Sequence, residues 1–312
     1  MRVLRAGIAS LAVQLPSRVV TNDELRAKHA STVAEMEKHV LGKLWAPAPG
    51  STCATFDAAS APYMSDPFRG CVERRWLDAG EHALDLEELA VHAALERGRL
   101  RAQDIDAIIS CSFLPDQLYV GNAAFLARRL GVTCPAWNLE SACAGSLLAL
   151  EQAAALVHAG VFARVLVVTS CTYSGMSPDD DTLGWGNGDA AAAFVVAPVD
   201  APAGVLSFHA MSTNDTCGAV YCDLDATAKG GMRMHTSKDA GRLLRETAEP
   251  LMRTCVAGAL ANASIKAGDV DVFVVNTPTA WYAQFACDVT GIAADRVVTA
   301  HPIVANVGPA LM

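Results

Sequence analysis

Cys143 lies in WNLESACAGSLLALEQAAALVHAG, where an apolar strand pattern passes through a turn of small residues into a long helical pattern. A thiol at the head of a helix feels the positive end of the helix dipole and unpaired backbone N–H groups, and both favour the thiolate. The same N–H groups can face the negative charge that develops on a thioester carbonyl under attack. Ala142, Ala144 and Gly145 leave space for an acyl chain to approach. The chemistry on offer is capture of an acyl group on sulfur. The competing reading is a cysteine merely buried at a strand end.

Other polar clusters offer less. Asp179, Asp180 and Asp181 sit among Ser, Pro and Gly and read as a solvated loop rather than a metal site. Gly184, Gly186 and Gly188 precede a strand rather than a helix, so they do not form a phosphate-binding loop. They read instead as allowing close backbone approach near the cysteine. Arg69, Arg74 and Arg75 are candidates for a coenzyme A or carrier phosphate, with ordinary salt bridges as the alternative. His209 and His235 lack motif support and read as structural. The ten cysteines, at 53, 71, 111, 134, 143, 171, 217, 222, 255 and 287, show neither CxxC nor Cys/His zinc spacing. No metal site or disulfide framework is expected, and a cytoplasmic, reducing location follows.

These residues need a scaffold, and the pattern around them is α/β. Apolar runs alternate with helical stretches: IDAIISCSF, a helix near 120–130, a strand ending near Leu139, a helix over about 145–159, then ARVLVVTS. DAAAAFVVAPV and GVLSFHAM read as further strands. A long helix over about 238–263 leads to DVDVFVVNTP, repeating the helix-then-strand pattern of the first half. TNDEL starts a helix capped by Thr21 or Asn22. Beyond it, residues 26–68 carry Pro47, Pro49, Gly50, Pro62 and Pro67 and read as a surface excursion or lid, or as a disordered stretch. With 312 residues, 52% hydrophobic and 18% charged, the chain can bury a large core. A net charge of −9 without a Lys/Arg block counts against nucleic acid and anionic membrane partners. No apolar run is long enough to span a bilayer. MRVLRAGIASLAVQLP is interrupted by Arg5 and reads as a strand and turn, not a signal peptide.

ACAG with its following helix resembles the nucleophile segment of the ketoacyl-ACP synthase III family, and other segments fall in that family's order. TNDEL lies near the start, GCVERRW at 70–76 resembles GIRERR, and the LGV turn stands at 130–132 before ARVLVVTS. GWGNGDAAAAFVV at 184–196 resembles FGDGAAA, and ANVGPA at 305–310 resembles the loop bearing the catalytic Asn. The resemblance covers nearly all of the chain outside 26–68. It implies a thiolase-like five-layered αβαβα fold of two pseudo-duplicated halves, 1–200 with Cys143 and 201–312, and a homodimer. It implies no permanently bound cofactor, with acyl-CoA or the phosphopantetheine of an acyl carrier protein as substrate.

One element departs from the family. The strand VDVFVV is followed by Asn276 where the family places its His, and an amide cannot shuttle a proton at neutral pH. His301, in VVTAHPIVANVGPA and five residues before Asn306, is similar instead to a divergent natural-product subgroup. There the catalytic His occupies this loop, five residues before an acidic residue. Asn306 replaces that acid; it can accept the imidazole N–H but cannot stabilise imidazolium by charge. The alternative is a plain loop histidine before Pro302. The resemblance thus implies catalysis by Cys143, His301 and Asn306, with Asn276, Arg69, Arg74, Gly186 and Gly188 near the substrate.

The expected function is two-step acyl transfer in a secondary-metabolite, polyketide or fatty-acid-related pathway. Cys143 is loaded from a coenzyme A or carrier-protein thioester, and a small-molecule acceptor activated by His301 takes the acyl group. Retention of Asn306 supports a different outcome, decarboxylative condensation, and a non-catalytic thiolase-fold partner subunit is a third reading. Where this sequence reaches ANVGPALM the family continues with a helix, two strands and a glycine-containing loop. A parent protein about 25–40 residues longer is therefore expected.

Overall fold

The computed structural model describes residues 5–38, 52–176, 180–228 and 231–311. Its strands are β1 (Arg5–Gln14), β2 (Val19–Thr21), β3 (Glu73–Arg75), β4 (Ala107–Phe113), β5 (Ala136–Asn138), β6 (Val165–Thr172), β7 (Asp189–Val199), β8 (Val220–Leu224), β9 (Met232–Thr236), β10 (Phe273–Val274) and β11 (Val297–Val298). Its α-helices are α1 (Asn22–Lys28), α2 (Ala30–Lys38), α3 (Ala54–Ser60), α4 (Ala83–Gly98), α5 (Asn122–Leu130), α6 (Gly145–His158), α7 (Ala240–Ala263), α8 (Tyr282–Thr290) and α9 (His301–Val304).

Every residue of β6 is buried, so this strand must be covered on both faces. It lies at the centre of a sheet ordered β1-β7-β6-β4-β5, parallel to β4, with β7 antiparallel to both β6 and β1. Ile108, Leu166 and Val168 point to one face, against Leu86, Val91 and Leu95 of α4 and Leu126 of α5. Ile109, Val165 and Val167 point to the other, against Ala149, Ala153 and Val157 of α6. The alanines four apart on α6 let that helix sit close to the strands. Each buried aliphatic side chain contributes about 1.5–3 kcal/mol.

The helix face that covers β4 and β6 also carries an acid. Glu87 of α4 is fully buried, and its carboxylate accepts from Ser170 Oγ at 2.6 Å, from Ser112 Oγ, and from Asn122 Nδ2 at 3.0 Å. Asn122 Oδ1 in turn accepts the Asp116 N–H at 3.0 Å, which ties the network to the loop after β4.

Most expected elements appear where the residue pattern placed them. Thr21 Oγ1 accepts the Glu24 N–H at 3.2 Å and caps α1. The excursion is ordered wherever it is described. Phe56 of α3 packs with Trp281, Phe285 and Val289, and the Asp57 carboxylate accepts from Arg245 of α7 at 2.6 Å. Residues 39–51, with Pro47, Pro49 and Gly50, lie outside the described residues. Two readings need correction. GVLSFHAM forms no strand; it runs beside α7, where Ser207 Oγ donates to the Ala259 carbonyl and Asn262 Nδ2 to the Phe208 carbonyl. The antiparallel hairpin β8–β9 was not anticipated, because its polar and half-exposed residues lack a clean alternation.

Candidate active site

β5 delivers the chain to a 3₁₀ turn, Ala142–Ala144, which runs directly into α6 at Gly145. Ala142 takes a left-handed backbone with φ 45°, an uncommon conformation for a residue with a side chain. The tightness is set from below. A Cβ on Gly145 would stand 1.9 Å from the Cys111 sulfur of β4, so only glycine lets the helix start this close to the sheet. Gly145→Ala is accordingly expected to destabilise the protein by about 1–3 kcal/mol through overpacking. Adding Cys111→Ala removes the opposing sulfur and should restore most of that loss. Urea midpoints of the two single variants and the double variant measure the coupling; strictly additive losses would contradict the contact.

Cys143, at the centre of this turn, is half-buried and lines a cavity of 810 Å³ together with Tyr173, Asn306, Arg69, Thr279 and Tyr282. The cavity lies at the carboxyl ends of β4 and β6, the usual ligand edge of an open α/β sheet. A neighbouring cavity of 980 Å³ shares Leu114, Pro115, Leu118 and Met232 with it, but Cys143 is not among its walls. The Cys143 sulfur lies 3.9 Å from the Tyr173 hydroxyl, and Tyr173 also meets the Asn306 side chain. Burial pushes the Cys143 thiol above its ordinary range, against the opposing pull of Tyr173 and of its own backbone N–H. Desolvation thus opposes the favoured thiolate expected from the helix head. Alkylation of Cys143 by iodoacetamide is expected to rise about tenfold per pH unit from pH 7 to 9 without a plateau, following the thiolate fraction. Peptide mass spectrometry of the alkylated protein reads it, and a plateau near neutral pH would contradict the raised value.

Asn306 reaches the cavity on the loop after α9. Its N–H donates to the Gly186 carbonyl at 3.0 Å, its carbonyl accepts from the Gly188 N–H at 2.9 Å, and its Oδ1 accepts from the Gly308 N–H at 3.0 Å. Gly188 is not a cavity wall. A Cβ there would meet the Val304 carbonyl at 2.2 Å, so this glycine lets the two backbones approach, while Gly186 beside it does line the cavity.

His301 is fully enclosed and is not among the cavity walls. Its Nδ1 lies 2.8 Å from the Thr277 carbonyl. A carbonyl only accepts, so Nδ1 carries the proton and Nε2 is left as the basic lone pair, with no hydrogen-bond partner. Thr277, not Asn306, thus orients the imidazole, which corrects the expected pairing. Burial and the nearby Arg69 and Arg74 charges push the His301 pKa down to about 4, against the Thr277 hydrogen bond. Asn276 does not line the cavity either; its Nδ2 donates to the Gly308 carbonyl at 2.9 Å and steadies the Asn306 loop.

The two arginines part company. Arg74 is fully buried, and donates from Nε to the Trp185 carbonyl at 3.1 Å and from Nη2 to Asn22 Oδ1 at 2.8 Å. It braces the core and is not among the described walls of the Cys143 cavity, which counts against the substrate-contact reading for it. Arg69 does line the cavity. Of the acidic run, Asp179 lies outside the described residues, and Asp181 Oδ1 accepts the Leu183 N–H at 2.9 Å as a turn cap. Tyr173, Thr279 and Glu140 are cavity residues that the sequence reading did not single out. For Tyr173 the signal was its position immediately after β6.

A cysteine at a strand-to-helix turn, on the carboxyl edge of a mixed sheet with helices on both faces, defines an α/β protein of the thiolase fold. Residues 137–214, which carry Cys143, Tyr173 and the glycine-rich segment, match the family model described as 3-oxoacyl-[acyl-carrier-protein] synthase III. A β-ketoacyl-[acyl-carrier-protein] synthase III from Dinoroseobacter shibae is 32% identical over 241 residues, 74% of this chain and 73% of that protein. The crystal structure of the Thermus thermophilus β-ketoacyl-[acyl carrier protein] synthase III superposes with a TM-score of 0.78 at 25% identity, covering 97% of this chain and 87% of that one. OleA from Xanthomonas campestris shares the fold at a TM-score of 0.77 and 20% identity, over 100% of this chain and 88% of that one. The chain belongs to the ketoacyl-ACP synthase III family of the thiolase superfamily, a family of condensing and acyl-transferring enzymes.

Proposed function

We propose that this protein is an acyltransferase that carries its acyl group on Cys143. The observation that supports this most is the placement of that thiol, on a tight strand-to-helix turn facing an 810 Å³ cavity. In loading, the Cys143 sulfur attacks the carbonyl of a coenzyme A or carrier-protein thioester while backbone N–H groups at the head of α6 stabilise the oxyanion. The new S–C bond forms as the donor thioester breaks, and the Cys143 proton ends on the departing thiol. In transfer, a hydroxyl, amine or thiol acceptor attacks the acyl-enzyme; its bond to the acyl carbon forms as the Cys143 C–S bond breaks, and its proton passes to His301 Nε2 and from there to the departing Cys143 sulfur. Fixing of the Nδ1–H tautomer by Thr277 favours this role. The position of Asn306 on the cavity wall favours decarboxylative condensation as the second reading, with its amide donating to an enolate oxygen.

No permanently bound cofactor enters either scheme, and the acyl chain arrives on coenzyme A or a carrier. We also propose a homodimer built from these halves, 1–200 and 201–312. Leu118, Tyr119 and Val120 form an exposed apolar tip, Tyr119 with 100% exposure, that a second copy would cover. Intact-protein mass spectrometry after incubation with a series of acyl-coenzyme A thioesters tests the loading step. Adducts of acyl mass are expected, and their absence across the series would remove the acyltransferase reading.

A further inference from the structure

Arg69 is 7% exposed and forms part of the wall of the Cys143 cavity. Its Nη1 donates to the carbonyls of Thr182 at 3.2 Å and Leu183 at 3.4 Å, and its Nε, buried, has no hydrogen-bond partner. Among the described residues no carboxylate is in contact with it. Asp66 and Asp181 act on it only from a distance, because Asp66 accepts from the Phe68 and Gly70 N–H groups and Asp181 from the Leu183 N–H. Burial lowers the Arg69 pKa only to about 10, so the guanidinium remains charged at neutral pH. A buried cation without a contact anion is costly unless something else supplies the charge.

A second unpartnered group stands in the same wall. Thr279 is 2% exposed, lines the cavity, and its Oγ1 has no hydrogen-bond partner. The two are joined through the backbone, since the Ala280 N–H donates to the Arg69 carbonyl at 3.2 Å. Arg69 itself holds a left-handed backbone, φ 53°, and its Nη1 would stand 3.0 Å from a Cβ on Gly186, whose carbonyl accepts the Asn306 N–H. The guanidinium is thus fixed against the segment that carries Asn306, on the same cavity as Cys143.

We propose that Arg69 and Thr279 form a carboxylate subsite, so that the acyl group loaded on Cys143 is a dicarboxylic one whose free end is recognised inside the cavity. This rests on the reading of Cys143 as the acyl carrier and adds the class of acyl group. A carboxylate accepts from the guanidinium edge at Nε and from a hydroxyl together, which satisfies both orphaned groups at once. A coenzyme A or carrier phosphate offers the same charge, but it would sit at Arg69 whatever the acyl group.

The test compares succinyl-coenzyme A with butyryl-coenzyme A, equal in chain length and differing in the terminal carboxylate. Loading of Cys143 by succinyl is expected to exceed that by butyryl by about 10–100-fold in kcat/KM. Arg69→Met should abolish the preference, bringing the succinyl-to-butyryl ratio of kcat/KM down to about one. Thr279→Val should reduce the preference by a smaller factor, and Arg69→Lys should keep part of it. Equal loading of both thioesters by the wild type overturns the proposal, as does an equal loss for both in Arg69→Met, the result a phosphate contact would give. Direct binding separates this from failure of the acyl-carrier reading. Cys143→Ala should bind succinyl-coenzyme A more tightly than butyryl-coenzyme A, and adding Arg69→Met should erase the difference. Equal affinities there overturn the subsite, whereas a preserved binding preference without any loading overturns only the role of Cys143.

Discussion

Cys143→Ala is expected to yield no acyl adduct with any thioester and to lower acyl transfer by about 10⁴-fold or more, the scale on which loss of a nucleophile is felt. The nearest alternatives are poorly suited to replace it. Burial pushes the Cys111 thiol up to about 12, and Cys171 is raised well above the ordinary thiol value by its complete enclosure. Both are held in the sheet, Cys111 under Gly145 and Cys171 beside Gly308, with no approach for a thioester. The substitution removes one sulfur from a half-buried position, so the unfolding midpoint should stay close to that of the wild type. Intact mass after incubation with a loading thioester is the measurement. An adduct that persists and maps to Cys111 or Cys171 would place the chemistry on another thiol.

His301→Ala is expected to leave loading partly intact and to slow transfer to the acceptor by about 10²–10⁴-fold, the usual contribution of a general base. Single-turnover transfer from preloaded protein separates the two steps. The pH dependence carries a second signature. With its pKa pushed down to about 4, the imidazole is neutral and able to accept a proton throughout the neutral range. Transfer by the wild type should therefore lose rate only as pH falls toward about 4, with no limb at the ordinary histidine value. A limb between pH 6 and 7 that vanishes in His301→Ala would show the imidazole titrating normally. An unchanged transfer rate in that variant would exclude His301 as the base.

The half of the protein around Cys143 was legible because its information is local. β4, β6 and β7 are mostly apolar and almost wholly buried strands, and the turn before α6 announces itself as small residues between a strand and a helix. The rest of the site is assembled across long separations that no local pattern records. Arg69 lies on a segment held by Ala280, whose N–H donates to the Arg69 carbonyl and whose Cβ lies against Gly70, and Thr279 looks like any loop threonine until its neighbours are in place. His301 was found by its spacing to Asn306, yet its hydrogen-bond partner is a main-chain carbonyl, which carries no sequence signature. GVLSFHAM misled for a related reason: its polar contacts run to α7, through Ser207 to the Ala259 carbonyl and Asn262 to the Phe208 carbonyl, and not to a neighbouring strand.

The acid inside the sheet has a consequence for how the whole fold responds to its medium. Burial holds the Glu87 carboxyl above the ordinary carboxylate range, against the hydrogen bonds from Ser112, Ser170 and Asn122. Between the unfolded and the folded pKa, the native chain binds a proton that the unfolded chain has released. Stability from this group is thus fully present below the unfolded value, near 4.3 for a free glutamate by the usual reference of about that figure, and is lost as pH rises through the folded one. At this position a fall in pH tightens the native state, and a rise in pH through the folded value loosens the seam between α4, β4 and β6, the seam through which Asn122 anchors the loop walling the cavity.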